Sequence, residues 1–406
     1  MFYIMNSPTL SLNGAEADNA QHLIDKRIEE IERIGREIAR INAADVDAKS
    51  RFPSEAIAAL REVGIFSAPI PVEYGGAGAD PVELARGCWI LGQHCSATAS
   101  IVAMHHTQIL SAAHHAKDNL QLQDYLRRVS KENRLIASVT SEVGPGGDMR
   151  SSSCAVEMEG DSYKLTKKAT TVSYGCYADD LMITARKNSE AASGDQVLVI
   201  AEKGQFTLQD QGVWDTLGMR GTCSPPATVV AQGAAWQVIS TPFADIATYT
   251  MVPTSHIFWS AWWFGLATDA VSKARELFRA KGRSNPGVTP MGAHRVADLD
   301  AELQKMEYEV FGLAREYAEA ISANDLQKLT SLGFSLRINT LKLNSSRAVV
   351  AIVSEALSVC GIQAYKNNGP FSLGRHLRDA HSSVMMVHND RIQLTNAAML
   401  LVHKGA

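Results

Sequence analysis

A short segment in the middle of the chain gathers hydroxyl and glycine residues at close spacing. Ser138 and Thr140 precede the loop Ser141-Glu-Val-Gly-Pro-Gly-Gly-Asp148, in which three glycines, the last of them Gly147, let a ligand approach the backbone closely. Hydroxyl and backbone N–H groups donate hydrogen bonds, so this loop suits the polar edge of a planar ring that needs several donors at once. An ordinary Gly-rich connection between two strands is the alternative interpretation.

Regular patterns on both sides of this loop predict the elements that must position it. Apolar residues recur at helical spacing over 22–44, 53–64 and 81–133, and again over 255–281, 292–323, 326–357 and 375–402. Between these regions lie short β-branched segments separated by Gly, Asn or Asp, such as those at 180–185 and 196–201. The predicted fold is therefore α+β, with a helical domain over 1–134, a β-domain over 135–243 and a second helical domain over 244–406.

The composition argues against several classes of partner. The 406 residues include 39 basic and 43 acidic ones, so no electrostatic argument favours a nucleic acid or an anionic membrane, and a small substrate is expected. The most apolar stretch, 257–267, is about half as long as a membrane span and is expected to be a buried helix. The six cysteines show no metal-ligand spacing, so no metal site is expected. Because the N-terminus also lacks a signal-peptide pattern, a cytoplasmic protein is expected.

Four segments together resemble the acyl-CoA dehydrogenase family over nearly the whole chain. The loop at 141–148 is similar to the family's T-E-P-x-A-G-S-D loop, and 59–76 is similar to its helix followed by P-x-E-x-G-G. Residues 214–224 are similar to its G-x-R-G-[ST] turn, and 360–380 match its G-G-x-G-[YF]…P…R…R-D-A signature in part. The resemblance implies an N-terminal helical domain, a middle β-barrel domain, a C-terminal four-helix bundle and bound FAD.

The resemblance also implies which residues contact the flavin. Ser138, Thr140 and Ser141 would line one side of the isoalloxazine ring, where Gly147 would allow close backbone approach. A flavin's pyrimidine edge and its N5 atom both need hydrogen-bond partners, which agrees with the donors in this loop.

A second flavin segment of the family, W-I-T-N-G-x-x-A-D, aligns with residues 171–179. Ser173 then takes the place of the threonine whose hydroxyl holds flavin N5, and Thr171 replaces the aromatic residue that usually covers the ring. A solvent-facing strand serine is the alternative interpretation of Ser173.

The family also places an arginine between two long helices, where it contacts the FAD of a neighbouring subunit. Register puts Arg279 at that arginine, while Gly282 stands where a phenylalanine is expected. Arg283 is an alternative cation, and a solvated surface arginine is the alternative for both.

The carboxylate that the family uses as its catalytic base is missing from both positions that the resemblance implies. Acyl-CoA dehydrogenation removes an α-proton while the β-hydride passes to the flavin, so a base must reach the α-carbon. The expected glutamate falls on Val387 in one register and near Ser255 in the other. His388 lies one residue beyond the first position and Asp390 three beyond, so either could act as a shifted base, although both could instead form a turn or helix cap.

A pair of histidines supports a different reading of the missing base. The superfamily's flavin monooxygenases use reduced flavin and O₂, need no α-proton base and often employ a histidine near the flavin. His105 and His106 lie on the helix that would border the substrate site, but adjacent helical residues diverge by about 100°, so at most one faces a given pocket. His106, from this pair, and His388 are then the candidates, and a buried structural histidine is the alternative for the pair. In a third reading, the chain keeps the fold and FAD but acts on a thioester by a route without carboxylate-assisted deprotonation.

Three functions are therefore carried forward. The first is FAD-dependent oxidation of an acyl-CoA or another acyl thioester to its 2,3-enoyl product, with electrons passed to an electron-transfer flavoprotein. The second is a two-component monooxygenase that takes reduced FMN or FAD from a separate flavin reductase. The third is a non-catalytic binding or assembly protein with the same fold. Because helical bundles with large apolar faces usually associate, a homotetramer or homodimer is expected.

Overall fold

The computed structural model describes residues 14–144 and 148–404, and it confirms the predicted α+β order of helices, strands and helices. The first helical region contains α1 (Gly14–Ile34), which continues through a π-turn (Gly35–Ala39) into α2 (Arg40–Ala48), then α3 (Ser54–Glu62), α4 (Pro81–Gly92), α5 (Ser96–Ala113) and α6 (Leu120–Glu132). The strands are β1 (Ile136–Val139), β2 (Glu157–Glu159), β3 (Ser162–Ala169), β4 (Asp180–Arg186), β5 (Gln196–Ala201), β6 (Phe206–Gln209) and β7 (Ala227–Ala234). The second helical region contains α7 (Phe243–Ile246), α8 (Val252–Ser284), α9 (Ala293–Ser322), α10 (Leu326–Leu329), α11 (Leu332–Cys360), α12 (Ile362–Tyr365), α13 (Gly374–Ala380) and α14 (Asn389–Leu400).

The strands form two sheets. One has the order β1-β4-β5, with β1 parallel to β4 and β4 antiparallel to β5; the other has the order β2-β3-β7-β6 and is antiparallel throughout. Strand β5 is buried along its whole length, whereas β3 alternates buried and exposed residues because one face meets solvent. In the first sheet Ser138 pairs with Met182, so the end of β1 delivers the chain from 138 onwards to one edge of that sheet.

The long helix α8 organises the second helical region and joins it to the first. It packs against α9 and α11 and also against α4 and α5. A Cβ atom on Gly92 of α4 would lie 2.4 Å from the Trp262 carbonyl oxygen, and one on Gly265 of α8 would lie 2.1 Å from the Trp89 carbonyl oxygen. These two glycines therefore let α4 and α8 cross with their backbones in direct contact.

The helix predicted from 375 to 402 is wrong in its middle. Helix α13 ends at Ala380 and α14 begins at Asn389, so the segment 381–388 (the 381–388 turn) interrupts it. Val387 and His388 have φ values of 53° and 36°, which a right-handed helix does not accept. Asp379 contributes to the break, because its Oδ1 accepts a hydrogen bond from the Met219 backbone N–H at 2.7 Å and so ties the end of α13 to the β region.

One helix within 14–144 and 148–404 is long and apolar enough to cross a membrane by length and composition, and it is α11. Core helices of globular proteins meet the same criteria, and α11 packs against α8 and α9.

Candidate active site

A cavity of about 370 Å³, here called the main cavity, lies where the end of β1 meets α5, α8 and the 381–388 turn. From the β region it is lined by Ser138, Thr140, Ser141, Met149, Thr170, Thr171 and Ser173. From the helices and the turn it is lined by Met104, Thr107, Gln108, Met251, Ser255, Trp259, Met385, Met386, Val387 and His388. Each described hydroxyl residue that the resemblance assigned to a flavin therefore lines a single cavity.

Strand β1 directs Ser138 toward this cavity. Its other residues, Ile136, Ala137 and Val139, are fully buried, whereas Ser138 keeps part of its surface exposed. A polar side chain left open in an otherwise buried strand is placed to meet a ligand, and Thr140 and Ser141 follow it along the cavity wall.

The Ser141 hydroxyl joins the two flavin-like segments. It donates a hydrogen bond to the Thr171 carbonyl at 2.9 Å and accepts one from the Thr171 N–H at 3.1 Å. Its oxygen also lies 3.2 Å from the Thr171 hydroxyl oxygen. Since Ser141 is occupied in this way, its main effect is to fix the spacing of the two loops, and Thr171 shares that role.

A chain of hydroxyls orients Ser173. The Ser224 hydroxyl donates to Ser173 Oγ at 2.9 Å and lies 2.8 Å from the Thr222 hydroxyl, which in turn donates to the Met219 carbonyl at 2.8 Å. Ser173 Oγ thus accepts a hydrogen bond from the Ser224 hydroxyl. Among the described residues, no group accepts the hydroxyl proton of Ser173. That proton is available to an acceptor inside the main cavity, such as a ring nitrogen.

A buried ion pair supports the loop from behind. The Glu142 carboxylate accepts hydrogen bonds from Ser152 Oγ and from the Cys154 N–H, each at 2.7 Å, and lies 3.7 Å from Lys167 Nζ. Lys167 Nζ also donates to the Thr184 carbonyl at 2.6 Å and to the Thr140 carbonyl at 3.4 Å. Burial lowers the pKa of Lys167 to about 8, although the Glu142 carboxylate opposes that shift. Burial also raises the pKa of Glu142, but the serine hydroxyls and Lys167 outweigh it and leave that pKa below its ordinary value.

The 381–388 turn brings His388 to the main cavity. Two consecutive non-glycine residues with positive φ, one of them the β-branched Val387, are unusual and cost roughly 1–3 kcal/mol each. Strain of this kind is typical of functional segments. Among the described lining residues, none is a carboxylate, and His388 is the one whose side chain can serve as a general base. Asp390, the other predicted base, is exposed in the first turn of α14 and does not line the cavity.

A buried lysine holds this turn in place, and no sequence pattern pointed to it. Lys342 of α11 is fully buried. Its Nζ donates to Asn389 Oδ1 at 2.7 Å and to the Ser383 carbonyl at 3.2 Å, and it lies 5.8 Å from the Trp263 ring centroid. Burial, followed by the nearby charge of Arg347, lowers the pKa of Lys342 to about 7. The Lys342 amine therefore holds the turn through its hydrogen bonds to Ser383 and Asn389, and within the described residues no carboxylate is hydrogen-bonded to this amine.

A second cavity of about 330 Å³ adjoins the main cavity, with Met149 and Val387 common to both linings. It lies between α8, α11 and α14, and Arg150 and Arg391 belong to its lining. His256 lines it too, and burial lowers the pKa of that imidazole to about 3, so it is neutral at physiological pH. Val387, at the position implied for the missing glutamate, thus stands between the two cavities.

The prediction that His106 borders the substrate site is corrected by its position. Helix α5 does border the main cavity, but with Met104, Thr107 and Gln108, which share one face at three- and four-residue spacing. His106 points elsewhere, into a small cavity of about 10 Å³ beside α1 and α4. Burial keeps its pKa well below the ordinary value, so it is a neutral side chain in the protein core.

Its neighbour His105 is a structural residue. His105 Nε2 lies 2.7 Å from the Phe66 carbonyl oxygen, and the Ile136 N–H donates to His105 Nδ1 at 3.0 Å. The imidazole therefore connects the loop after α3 to the start of β1.

Two further predicted flavin contacts lie away from the main cavity or cannot be placed. Arg279 is exposed on the C-terminal half of α8 and does not contribute to the main cavity. Gly147 lies outside the described residues.

The main cavity suits the isoalloxazine ring of a flavin. Its β side offers Ser138, Thr140 and Ser173 as hydrogen-bonding groups, and Ser173 has a proton to share. Its walls also carry methionines, whose polarisable sulfur atoms make favourable contacts with aromatic rings; they are Met104, Met149, Met251, Met385 and Met386. A cavity with hydroxyls on one side and methionines among its other lining residues is therefore compatible with a polar-edged aromatic ring.

Comparison with known proteins agrees with this arrangement. Residues 26–133 match the family model for the acyl-CoA dehydrogenase N-terminal domain, and residues 256–400 match the model for the C-terminal domain. A short-chain specific acyl-CoA dehydrogenase of Clostridium acetobutylicum is 23% identical over 351 residues, which cover 83% of this chain and 87% of that protein. The structure of butyryl-CoA dehydrogenase from Megasphaera elsdenii has a TM-score of 0.78 at 18% identity and covers 97% of this chain and 100% of that one. Dibenzothiophene monooxygenase from Paenibacillus sp. A11-2 has a TM-score of 0.77 at 17% identity and covers 94% and 98%.

The α–β–α fold and the donor-lined cavity thus define the molecule as a flavin-binding oxidoreductase. More specifically, the chain belongs to the acyl-CoA dehydrogenase superfamily.

Proposed function

We propose that the protein oxidises an acyl-CoA, or another acyl thioester, to its 2,3-enoyl product with FAD, and that His388 is the base. The observation that carries this proposal is the presence of His388 in the same cavity as the flavin-facing hydroxyls, directly beside Val387. The curated relative from Clostridium acetobutylicum, named a short-chain specific acyl-CoA dehydrogenase, supports the substrate class.

Different residues of the chain then orient the flavin and remove the α-proton. Bound flavin supplies the hydride acceptor for the β-hydrogen of the acyl group. Ser173 and the loops held by Ser141 orient the ring, and the His388 imidazole takes the α-proton onto a ring nitrogen. The second cavity, which meets the main one at Val387, receives the part of the thioester that does not react. An electron-transfer flavoprotein would be the electron acceptor. In a homotetramer, the exposed Arg279 would be available to the FAD of a neighbouring subunit, and the cytoplasm is the proposed location.

The test is anaerobic titration of FAD-saturated protein with a panel of straight, branched and substituted acyl-CoAs, with flavin absorbance as the readout. We expect at least one acyl-CoA to bleach the flavin and to yield its 2,3-enoyl product by mass spectrometry. If no member of the panel reduces the flavin, the dehydrogenase proposal is rejected.

A second candidate is a two-component monooxygenase, because no carboxylate lines the main cavity within the described residues and such an enzyme needs no α-proton base. The likeness in fold to dibenzothiophene monooxygenase is compatible with this alternative, as is the structure of the same protein with FMN bound. The two candidates differ in flavin affinity. A dehydrogenase should purify yellow and hold oxidised FAD, whereas a monooxygenase should bind reduced FMN or FAD more tightly than the oxidised form. Equilibrium titration with both redox states under anaerobic conditions separates them.

A further inference from the structure

Both ends of the 381–388 turn are tied to the same two residues of α11. Near its start, the Ser383 carbonyl accepts a hydrogen bond from Lys342 Nζ at 3.2 Å, and the Ser383 hydroxyl donates to the Ser346 carbonyl at 2.7 Å. Just after its end, Asn389 Oδ1 accepts from Lys342 Nζ at 2.7 Å, and Asn389 Nδ2 donates to Ser346 Oγ at 3.1 Å. Lys342 and Ser346 are four residues apart, so they lie on one face of the helix. These four residues are here called the turn clamp.

The turn clamp also fixes the orientation of the Asn389 amide. Protonated Lys342 has only donors, so the amide oxygen faces Lys342 and the amide nitrogen faces Ser346. Lys342, Ser346 and Ser383 are fully buried, and hydrogen bonds shielded from water in this way are strong. To bond both partners, the side chain at position 389 therefore needs one acceptor and one donor side by side.

The strained residues of the turn lie next to this tied end. Val387 and His388 have φ values of 53° and 36°, and such backbone persists only where the surrounding structure determines it strongly. The His388 side chain makes no capping hydrogen bond at the start of α14. Its neighbour Asn389 is the residue whose side chain ties this end of the turn to α11, so a shift of Asn389 moves His388 with it.

The turn clamp does not touch the ligand space itself. None of its four residues lines the main cavity or the second cavity, whereas His388 lines the first and Val387 lines both. The Asn389 side chain is directed to α11 instead. The clamp therefore acts on a bound molecule through the position of the turn and not by contact.

We propose that Asn389, together with Lys342 and Ser346, is a positioning residue for the reaction, because the turn clamp aims the His388 imidazole at the substrate. This inference rests on the proposed function, in which His388 removes the α-proton. A base must lie within hydrogen-bond reach of the proton that it takes, and a displacement of about 1 Å can lower a rate roughly a hundredfold. Loss of the clamp should therefore slow proton removal and leave the binding of FAD and acyl-CoA intact.

The first experiment is anaerobic stopped-flow reduction of FAD-saturated protein with the acyl-CoA that bleaches it best. Asn389→Leu has a similar size and removes both hydrogen bonds, and we expect the limiting rate of flavin reduction to fall roughly 30- to 100-fold. The dissociation constants of FAD and of acyl-CoA should stay within about twofold of the wild type, because only the aim of the base changes. Asn389→Asp keeps an acceptor for Lys342, so its rate should fall by less than about tenfold.

Ser346→Ala tests whether the clamp acts as a unit. It removes the hydroxyl that bonds Asn389 Nδ2, and alone it should slow reduction less than Asn389→Leu. The double variant should be no slower than Asn389→Leu, because the amide that this hydroxyl bonds is already absent. Asn344→Leu is the matched control on the exposed face of α11, where Asn344 Nδ2 donates to Glu309 Oε1 at 2.8 Å, and it should keep the wild-type rate.

Hydrogen–deuterium exchange measures the clamp without the reaction. The N–H groups of Met386 and His388 donate to the Ser382 and Met385 carbonyls, each at 3.1 Å. In Asn389→Leu these amides should exchange at least about tenfold faster, while those of α5, which also borders the main cavity, should exchange as in the wild type. If Asn389→Leu folds poorly, Ser346→Ala provides the same comparison with a smaller expected change.

Three outcomes would overturn the inference. They are flavin reduction at the wild-type rate in Asn389→Leu, a weakening of FAD or acyl-CoA binding as large as the loss of rate, and unchanged exchange over 381–388. A failure of every acyl-CoA to bleach the wild-type flavin would instead reject the proposed function, and the exchange experiment would still decide whether the clamp holds the turn.

Discussion

The two sides of the main cavity are built in opposite ways. On the β side, Ser138, Ser141 and Ser173 sit on regular backbone or are fixed by hydrogen bonds to their neighbours. On the other side, the 381–388 turn places His388 on strained backbone above the buried, carboxylate-free amine of Lys342. The hydroxyl side of the cavity is thus anchored by hydrogen bonds at Ser141 and Ser173, whereas the turn that carries the proposed base, His388, has a strained backbone.

The difference suggests which half of the site tolerates change. A flavin-binding wall must present the same donors whatever the substrate, so satisfied hydrogen bonds serve it well. A base must instead be aimed at one carbon atom, and the surrounding fold holds its strained backbone in place at a cost to stability. Substitutions can therefore separate the two sides by their effects.

Removing the His388 imidazole should have the largest effect. We expect His388→Ala to slow flavin reduction by about 10²–10⁴-fold, the usual contribution of a positioned base, while the FAD dissociation constant stays unchanged. Anaerobic stopped-flow absorbance with the best acyl-CoA measures the rate. Asp390→Asn is the matched control, because Asp390 is exposed and outside the cavity, and it should reduce the flavin at the wild-type rate.

A carboxylate at the neighbouring position should restore part of that loss. Val387 lines both cavities, so Val387→Glu in the His388→Ala background places an acid at the position that the family resemblance implies. Flavin reduction should recover part of the rate that His388→Ala loses, and anaerobic stopped-flow absorbance with the same acyl-CoA measures it. A double variant as slow as His388→Ala would show that the turn does not aim residue 387 at the α-carbon.

The buried amine under the turn should make stability depend on pH. The pKa of Lys342 is lowered to about 7 in the folded protein from an ordinary value of 10.5, so between these values the unfolded chain holds more protons. The free energy of unfolding should therefore rise with pH in this window, by at most about 1.4 kcal/mol per pH unit for this group. Urea unfolding from pH 7 to 8.5 should show that rise in the wild type and a smaller one in Lys342→Met.

The comparison needs a surface control and a second lysine. Lys305→Met alters an exposed lysine and should keep the wild-type slope. Lys167, whose pKa is lowered to about 8, adds a similar rise above pH 8, so part of the slope should survive in Lys342→Met. Equal slopes for the wild type and Lys342→Met would contradict the assignment of a lowered pKa to Lys342.

On the β side, loss of one hydroxyl should have a moderate effect. Ser173→Ala removes the proton available to the flavin, and we expect about tenfold weaker FAD binding, which corresponds to one hydrogen bond of roughly 1.4 kcal/mol. Fluorescence titration of the apoprotein measures it. Ser224→Ala removes the hydroxyl that links Ser173 to Thr222 and should weaken FAD binding less; a larger loss there would show that Ser224, and not Ser173, makes the key contact.

The smallest effect is expected at His106. Its neutral imidazole lies in the core away from the main cavity, so His106→Asn should leave the rate of flavin reduction unchanged and lower only thermal stability. Slower flavin reduction without a change in thermal stability would show that His106 takes part in the reaction.

The sequence predicted the loop residues of this site better than the helix residues. Ser138, Thr140, Ser141, Thr171 and Ser173 were predicted because short loops carry local motifs, and all of them line one cavity. Gln108 and His106 could not be separated in the same way. Helix α5 is buried on nearly every side, so its sequence has no polar stripe to indicate which face meets a ligand.

The 381–388 turn and Lys342 were missed for a related reason. The sequence from 375 to 402 has a helical pattern, and the break depends on contacts from distant parts of the chain, such as the hydrogen bond from Met219 to Asp379. The burial of Lys342 likewise depends on α14 and the turn covering α11, which no local pattern reports.

The close crossing of α4 and α8 limits how the cavity of this enzyme can change to accept new substrates. With Gly92 and Gly265 in backbone contact, the two helices cannot move closer, and any larger residue at either glycine would push them apart. The cavity wall built on α8 is therefore a fixed frame. Evolution, or a protein engineer, would widen or repolarise the pocket by exchanging the side chains mounted on that frame, first of all Trp259, and would leave the helices where they are.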